Sequence, residues 1–502
     1  MSDVEPQVSE HELVAERRRK RDRLRDEFGL DPYGRRIDGL TSLAEARAAY
    51  RPDADEAHKA DDSVDDRPRV HVAGRVMQHR VMGNLIFMLL RDATGDLQIA
   101  VSKKAVGQPT FSIAKATDLS DIVIAHGALA TTKTGEITVW AEKPAEAEHG
   151  GFDVATKSIA PPPGKWHGLQ DPELRYRKRY VDLYVNPPVT QAFEKRSRII
   201  KRVRDFLGDP PDDLGAGFLE VETPMMQPIA GGSAALFHRI AQELYLKRRL
   251  VGGMPRVFEI NRNFRNEGLS PRHNPEFTML ELYQAFGDYN SMMTLTERMI
   301  HTVATQVCGG EALPFGDETI RYALPFRRAK YHDLFEEHNG FAASDHDRLV
   351  EAAGRLGIEA AGKAHDVVLQ EVWEETVEHK LRQPTFVIDY PASLCPLTKQ
   401  KAGDPSIAER FELYIAGMEI ANAYTELNDP DVQRANFEQQ IAGLDDEEAT
   451  FRTMDEDFIE ALMVGMPPAG GLGVGIDRLV MLMTDARSIR DVILFPLMRP
   501  NA

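Results

Sequence analysis

Apolar and polar residues alternate in a series of short runs between Val70 and Ala141: VHVAGRVM, NLIFMLL, LQIAV, DIVIAHGAL and EITVWA. A period of two sends successive side chains to opposite faces of a strand, and Met82-Gly83-Asn84 and Thr94-Gly95-Asp96 read as turns between runs. Five strands in so short a stretch predict a small β-barrel, with the oligonucleotide-binding (OB) barrel as one candidate beside a barrel that binds nothing. Upstream, residues 13–28 read as a charged helix that stops near Gly29 and Pro32, and the polar, Asp-rich residues 45–67 as a linker or weak helix. Downstream, Pro161-Pro162-Pro163-Gly164 marks a stiff boundary. Beyond it, helical stretches (193–207, 290–308, 455–465) alternate with the strand-like runs RVFEINRNF, FTMLELYQAF, PTFVIDY and FELYIAGMEIANAYTEL. That order predicts α+β architecture on an antiparallel sheet rather than regular βαβ winding. Three regions are expected: 1–66, an N-terminal helical extension and linker; 67–150, the barrel; and 151–502, the α+β domain.

Composition narrows the class. A chain of 502 residues with 42% hydrophobic and 28% charged residues fits a globular protein of two or three domains. No apolar run approaches the roughly 20 residues that span a bilayer, and the N-terminus has no apolar signal centre. The only two cysteines, Cys308 and Cys395, are too few for a disulfide framework or a Cys-based metal site. These features predict a cytoplasmic protein without a membrane segment. The net charge of −18 argues mildly against nucleic acid, but basic residues cluster at Arg17–Arg25, Arg175–Arg179 and Lys195–Arg204. Charge alone leaves both solvated helix faces and RNA contacts open.

Three familiar signals carry no chemistry here. Gly357-Ile-Glu-Ala-Ala-Gly362-Lys363 has P-loop spacing, yet Ala364 replaces the hydroxyl that would hold Mg²⁺, and the stretch reads as Ala-rich helix without a preceding buried strand. The Gly471, Gly473, Gly475 run is not a dinucleotide fingerprint, and no HExxH segment exists. The informative stretch is RVFEINRNFRNEGLSPRHNPEFTMLELYQAF, residues 256–286. A hairpin there sets Phe277, Met279, Glu281 and Tyr283 on one strand face, with Arg262, Arg265 and Glu267 at the far end of its partner. Carboxylates on a buried face are costly without a ligand or partner charges.

Here the chain resembles a known family. FRNEG followed by RHNPEFTMLELY resembles motif 2 of the class II aminoacyl-tRNA synthetases in their lysyl form. GFLEVETPMMQP (217–228), with its helix-breaking Pro224, resembles motif 1, and GLGVGIDRLVMLMTDARSIRDVILFP (471–496) resembles motif 3. The resemblance implies an OB-fold anticodon-binding barrel followed by a catalytic domain on an antiparallel β-sheet flanked by helices. It implies that L-lysine is activated with ATP and esterified onto tRNA(Lys) by a homodimer that uses Mg²⁺. Carried over by position, Arg265 and Arg478 bracket the phosphates as the catalytic pair, with His273 nearby, and Phe277 and Glu267 receive the adenine. Glu412 and Glu419 hold Mg²⁺. Gly232 and Glu243 grip the α-amino group, and Glu281, Tyr283, Asn422, Tyr424 and Glu426 form the rest of the lysine pocket. Arg80, Phe87, Gln98 and Glu136 read the anticodon. On spacing alone Phe87 reads as barrel core. An ideal strand would turn Glu412 and Glu419, seven residues apart, to opposite faces, so a bulge or bend near Gly417 is expected.

The chain departs from the family after Gly231-Gly232-Ser233-Ala234-Ala235, where about a dozen residues, a hairpin's worth, are missing. His238 and Gln242 stand where an apolar residue and a proline are usual. The gap falls between Gly232 and Glu243, and it motivates a second reading: a non-catalytic paralogue that binds tRNA or a protein. Residues 209–215, inserted before the first motif, are expected to enlarge a surface loop.

Overall fold

The computed structural model describes residues 10–34, 36–143, 150–162, 169–228, 236–265, 268–442 and 455–499. Its contacts divide the chain into two units, Met1–Gln170 and Asp171–Ala502.

The first unit is built on β1 (Arg69–Met82), β2 (Leu85–Arg91), β3 (Asp96–Ser102), β4 (Ile122–Thr131), β5 (Ile137–Ala141) and β6 (Phe152–Thr156). Strand order is β1-β2-β3-β5-β4-β6, and pairing of β1 with β4 closes a five-stranded barrel. Every second residue points inward: Val70, Val72 and Val76, then Ile86, Met88 and Leu90, then Leu97, Ile99 and Val101 are buried. Close strand crossing requires Gly127, where a Cβ would lie 1.9 Å from the Trp140 carbonyl oxygen.

Phe87 occupies the other face. It is half-buried and outward, edge-on to Trp140 at 6.1 Å between ring centroids, so the core position expected from spacing is wrong. Hydrophobic content had outweighed strand parity in that expectation. Two elements of this unit escaped the pattern. Helix Lys103–Ala116 is interrupted at Gly107 (φ 81°) and Pro109, which spoil its period, and β6 is only five residues long.

Within residues 45–67 the helical alternative holds as far as Ala60, and 61–67 carry no helix or strand. Helix Leu43–Ala48 starts with a Ser42/Glu45 capping box, and helix Pro52–Ala60 buries Asp55. That carboxylate accepts from Tyr50 Oη at 2.8 Å, the Thr131 hydroxyl at 2.7 Å and the Thr131 N–H at 2.9 Å, which ties the helix to β4.

The second unit contains β7 (Leu219–Glu220), β8 (Met226–Pro228), β9 (Leu236–His238), β10 (Arg256–Phe264), β11 (Glu276–Ala285), β12 (Ala312–Phe315), β13 (Glu318–Arg321), β14 (Arg327–Lys330), β15 (Thr385–Pro391), β16 (Gln400–Lys401), β17 (Asp404–Ile415), β18 (Met418–Thr425) and β19 (Ala469–Gly475). The main sheet runs β14-β15-β17-β18-β19-β11-β10-β7. Its centre is antiparallel, and only the outermost pairs, β14–β15 and β10–β7, are parallel.

One sheet face packs on helices Pro187–Gly208, Tyr289–Cys308 and Ile476–Thr484. Leu280, Leu282, Ile420, Leu472 and Val474 turn to that side and are buried; each such side chain contributes about 1.5–3 kcal/mol. The same alternation leaves Glu281 and Tyr283 on the opposite face. Asp477, at the start of the last of these helices, takes the Thr278 N–H at 2.7 Å and Arg196 Nη1 at 2.5 Å, so its buried charge is compensated.

A smaller helical core surrounds Tyr331 and Trp373. Within it the P-loop-like stretch is not helical. Gly357 (φ 75°) terminates helix His346–Leu356 in the left-handed region, and Lys363 pairs with Glu371 at 2.6 Å. The basic clusters are largely structural too. Buried Arg17 donates to the Leu119, Ser158 and Ala160 carbonyls, and buried Arg179 binds Asp182 at 2.6 Å and the carbonyls of Arg490 and Leu494.

Candidate active site

Strand register assembles the site. Directly opposed residues share a face, and one row runs Glu259, Glu281, Gly473, Asn422, Glu412 across β10, β11, β19, β18 and β17. The next row runs Val257, Tyr283, Gly471, Tyr424, Arg410. Residues some 190 positions apart, such as Glu281 and Gly473, are therefore neighbours. The glycines of β19 form the floor between them. A Cβ on Gly471 would lie 1.9 Å from Glu426 Oε1 and 2.6 Å from Tyr283 Cε1; one on Gly473 would lie 3.1 Å from Asn422 Oδ1. The glycine run set aside in the sequence thus has a function there: bare backbone that lets polar side chains close over it.

At the β10–β11 loop end a cavity of about 190 Å³ is lined by Arg265, Arg272, His273, Phe277, Glu419, Asn422 and Arg478, among others. Arg265 lies 5.2 Å from the centroid of the Phe277 ring, a cation–π contact. Arg478, near the start of helix Ile476–Thr484, donates to the Glu419 carbonyl at 2.8 Å and lies 3.0 Å from His273 Nε2. His273 is itself oriented by Ser270 Oγ, 2.9 Å from Nδ1. Two guanidinium groups and an aromatic ring on one wall suit a planar base attached to a chain of negative charge.

At the other end of the face the groups are acidic and buried. Glu281, Tyr283, Tyr424 and Glu426 come together with Glu243, the first residue of helix Glu243–Val251. Burial, reinforced by the Glu243 charge, pushes the Glu281 carboxyl up to about 8. Burial also pushes Glu426 up to about 7, against the opposing pull of Lys247. Burial disfavours the ionised form of both carboxyls, and a nearby cation favours it. Lys247, one turn along the helix from Glu243, was not singled out in the sequence. It is fully buried and lies 2.6 Å from Glu243 Oε1 and 2.5 Å from Glu426 Oε2.

The profile described as tRNA synthetases class II (D, K and N) matches residues 171–499, and that described as OB-fold nucleic acid binding domain matches 70–143. A curated protein of Pelotomaculum thermopropionicum named lysine–tRNA ligase is 48% identical, covering 98% of this chain and 96% of its own. Proteins of the same name from Carboxydothermus hydrogenoformans and Staphylococcus saprophyticus are each 45% identical, over 98% and 96% of this chain and 99% and 97% of theirs. The chain belongs to the class II lysyl-tRNA synthetase family. The likeness extends over nearly the full length of chains named as ligases, and it gives no support to a non-catalytic paralogue.

In this synthetase-family chain Glu412 and Glu419 sit on the two arms of a hairpin rather than on one strand. Ala416 (φ 55°) and Gly417 (φ 71°) make the turn, and the β17–β18 register slips between Leu413 and Tyr414. Turn and bulge together bring the carboxylates near enough that, with burial, Glu412 raises the Glu419 pKa. Glu412 is held by Tyr390 Oη at 2.7 Å, Tyr414 Oη at 2.6 Å and Arg410. Glu419, half-buried at the cavity wall, accepts from Asn422 Nδ2 at 2.9 Å. A pair of carboxylates of which one faces the cavity fits a Mg²⁺ that keeps waters and takes its other ligands from substrate phosphates. Among the described residues no cluster of three or more His, Cys, Asp or Glu forms an all-protein metal cage.

The shortened segment is bracketed by β8 and β9, which pair antiparallel from Met226↔His238 to Pro228↔Leu236. Gly232 lies outside the described residues, as does Glu267. Gln242 adds a contact. Its backbone N–H donates to Glu281 Oε1 at 3.4 Å, which a proline could not do.

On the barrel, Arg80 is opposite Phe87 on β1 and β2, and Gln98 of β3 is opposite Leu89 and Thr138, so Arg80, Phe87 and Gln98 share the outward face. Gln98 Nε2 donates to Thr138 Oγ1 at 2.9 Å. Glu136, just before β5, is exposed and pairs with Arg47 at 3.0 Å. Trp140, on the same face beside Phe87, is a second ring that the sequence reading passed over.

Proposed function

We propose that the protein is a lysine–tRNA ligase, which forms lysyl-adenylate from L-lysine and ATP and passes the lysyl group to tRNA(Lys). The observation that carries this is the joining, on one sheet face, of a nucleotide-type cleft to a buried acidic cluster suited to a substrate with two ammonium groups. ATP lies along the cleft with its adenine on Phe277 and beside Glu267, and Arg265, Arg478 and His273 contact the phosphates. Gly232 and Glu243 take the α-ammonium. Glu281, Tyr283, Asn422, Tyr424 and Glu426 line the pocket, and the carboxylates take the ε-ammonium.

A carboxylate oxygen of lysine attacks the α-phosphorus. The bond from that phosphorus to the bridging oxygen breaks, and pyrophosphate leaves with its electron pair. A ribose hydroxyl at the tRNA end then attacks the adenylate carbonyl, loses its proton and displaces AMP. No protein nucleophile is required. Arg265 and Arg478 stabilise charge as it shifts toward the leaving oxygens, and the pocket carboxylates hold the attacking group in line. Glu412 and Glu419 would hold Mg²⁺, which would supply charge neutralisation on the phosphate oxygens.

Arg80, Phe87, Gln98 and Glu136 contact the anticodon on the barrel's outward face, where splayed bases stack on rings and bond along their edges. The regions are 1–66 as N-terminal extension and 67–150 as anticodon-binding barrel, while the start of the catalytic domain, expected at 151, moves to about 171 because β6 pairs with β4 in the first unit. The same proposal places the protein in the cytoplasm as a homodimer. Support comes from the edge strand β7, where Leu219 is 55% exposed. Among the described residues no helix is long and apolar enough to cross a membrane.

The test is lysine-dependent ATP–pyrophosphate exchange with purified protein, followed by charging of tRNA(Lys). Exchange that requires lysine is the expected result, and none above background overturns the assignment.

A further inference from the structure

The pocket assigned to lysine already contains an ammonium group. Lys247 Nζ lies between Glu243 Oε1 (2.6 Å) and Glu426 Oε2 (2.5 Å), with its side chain wholly inaccessible to solvent. The Phe458 ring is 5.9 Å away and closes the apolar side. Burial works to lower the Lys247 pKa, but the two carboxylates outweigh it and raise it, so the ammonium stays charged. The two partners lie on different elements, Glu243 on the first turn of its helix and Glu426 just after β18. Lys247 joins them. What it leaves unused is also clear: among the described residues Glu281 Oε2 and Glu426 Oε1 are buried and have no hydrogen-bond partner.

We propose that Lys247 is a positioning residue that sets amino-acid specificity: its ammonium holds the Glu243 and Glu426 carboxylates apart, oriented and charged, so that their free oxygens with Glu281 accept the two ammonium groups of lysine. The inference rests on the ligase reading above and deepens it. Without the internal cation, two like charges face each other, Glu426 buried and Glu243 partly exposed. One turns away or takes up a proton, and a neutralised Glu426 no longer distinguishes an ε-ammonium from a methyl group. Lys247 therefore acts through the carboxylates rather than on the reacting atoms. Its loss is expected in lysine recognition and not in phosphate chemistry.

The test compares lysine with norleucine, which has the same carbon chain without the ε-nitrogen, in ATP–pyrophosphate exchange. The wild-type protein is measured first; if it shows no lysine-dependent exchange, the ligase reading fails and Lys247 is not the cause. For Lys247→Met the lysine KM is expected to rise about tenfold or more while kcat changes little, and the preference for lysine over norleucine to fall by a similar factor. A purely structural role predicts instead that kcat, ATP affinity and both amino acids suffer together. Lys247→Ala supplies the second arm, in case the methionine variant does not fold. Adding n-propylammonium, which restores the deleted methylenes and cation, is expected to recover lysine KM and the preference over norleucine. A folded Lys247→Met with unchanged preference, or a Lys247→Ala protein indifferent to the amine, overturns the proposal.

Discussion

The outward face of the barrel and the polar face of the catalytic sheet are both strand surfaces that carry polar and aromatic side chains, but they are built differently. On the barrel the carboxylate and amide groups have partners: Gln98 bonds Thr138, Glu136 pairs with Arg47, and Phe87 rests against Trp140, whose neutral indole N–H is left without a hydrogen bond among the described residues. On the catalytic sheet Glu281 and Glu426 are buried and retain oxygens without hydrogen-bond partners. The barrel face folds at little electrostatic cost and offers shape and stacking. The catalytic face keeps buried carboxylate oxygens without hydrogen-bond partners, an arrangement suited to a cationic ligand. A substitution on the barrel should therefore affect binding alone, whereas one on the sheet should affect binding and the charge balance of its neighbours.

The largest effect is expected at the nucleotide cleft. Arg265→Ala should slow pyrophosphate exchange by about 10²–10³-fold with an unchanged thermal midpoint, because the guanidinium lines a cavity. Near-normal exchange would remove Arg265 from the phosphate site. Glu426→Gln comes next. Truncating one member of a buried charge pair typically costs about 2–5 kcal/mol, so the lysine KM should rise by roughly 30-fold or more with ATP KM little changed. Steady-state exchange at varied lysine and ATP separates the two.

On the barrel, Phe87→Ala should lower tRNA charging efficiency by about tenfold, within the roughly 1–3 kcal/mol of one stacked base, and leave lysine activation intact. Equal loss of both activities would show that the two faces are not independent.

The smallest effect concerns pH. Glu281 holds a proton up to about 8, well above the ordinary 4.5 for a glutamate. In that interval the native state binds more protons than the unfolded one, so this residue's contribution to stability is present at low pH and declines as pH rises toward 8. Lysine binding has the opposite dependence, because the ionised carboxylate is the partner of an ammonium. Lysine KM is thus expected to fall about threefold between pH 7.5 and 8.5. A KM that is flat across this range would dissociate Glu281 from the pocket.

The sheet shows why some of this could be read in advance. Phe277, Met279, Glu281 and Tyr283 alternate on one strand, and a period of two is a local property of backbone geometry. The same rule places Phe87 outward; the core position expected for it follows hydrophobic content instead and is wrong. Lys247 could not be identified at all. In ELYLKRRL it looks like one more solvated helix cation, and only Glu426, 179 positions later in the chain, makes it a buried counter-ion.

Local order thus determined the strands, the hairpin carrying the cleft residues, the α+β class and the family's motifs, because alternation, turn chemistry and side-chain type act over a few residues. Tertiary structure decided which distant strands adjoin, that Gly471 and Gly473 form a bare floor, that a turn and bulge reunite Glu412 with Glu419, and which basic residues are buried clasps. Those outcomes depend on long-range register and on the field of charges brought together from afar, neither of which any short stretch of sequence contains.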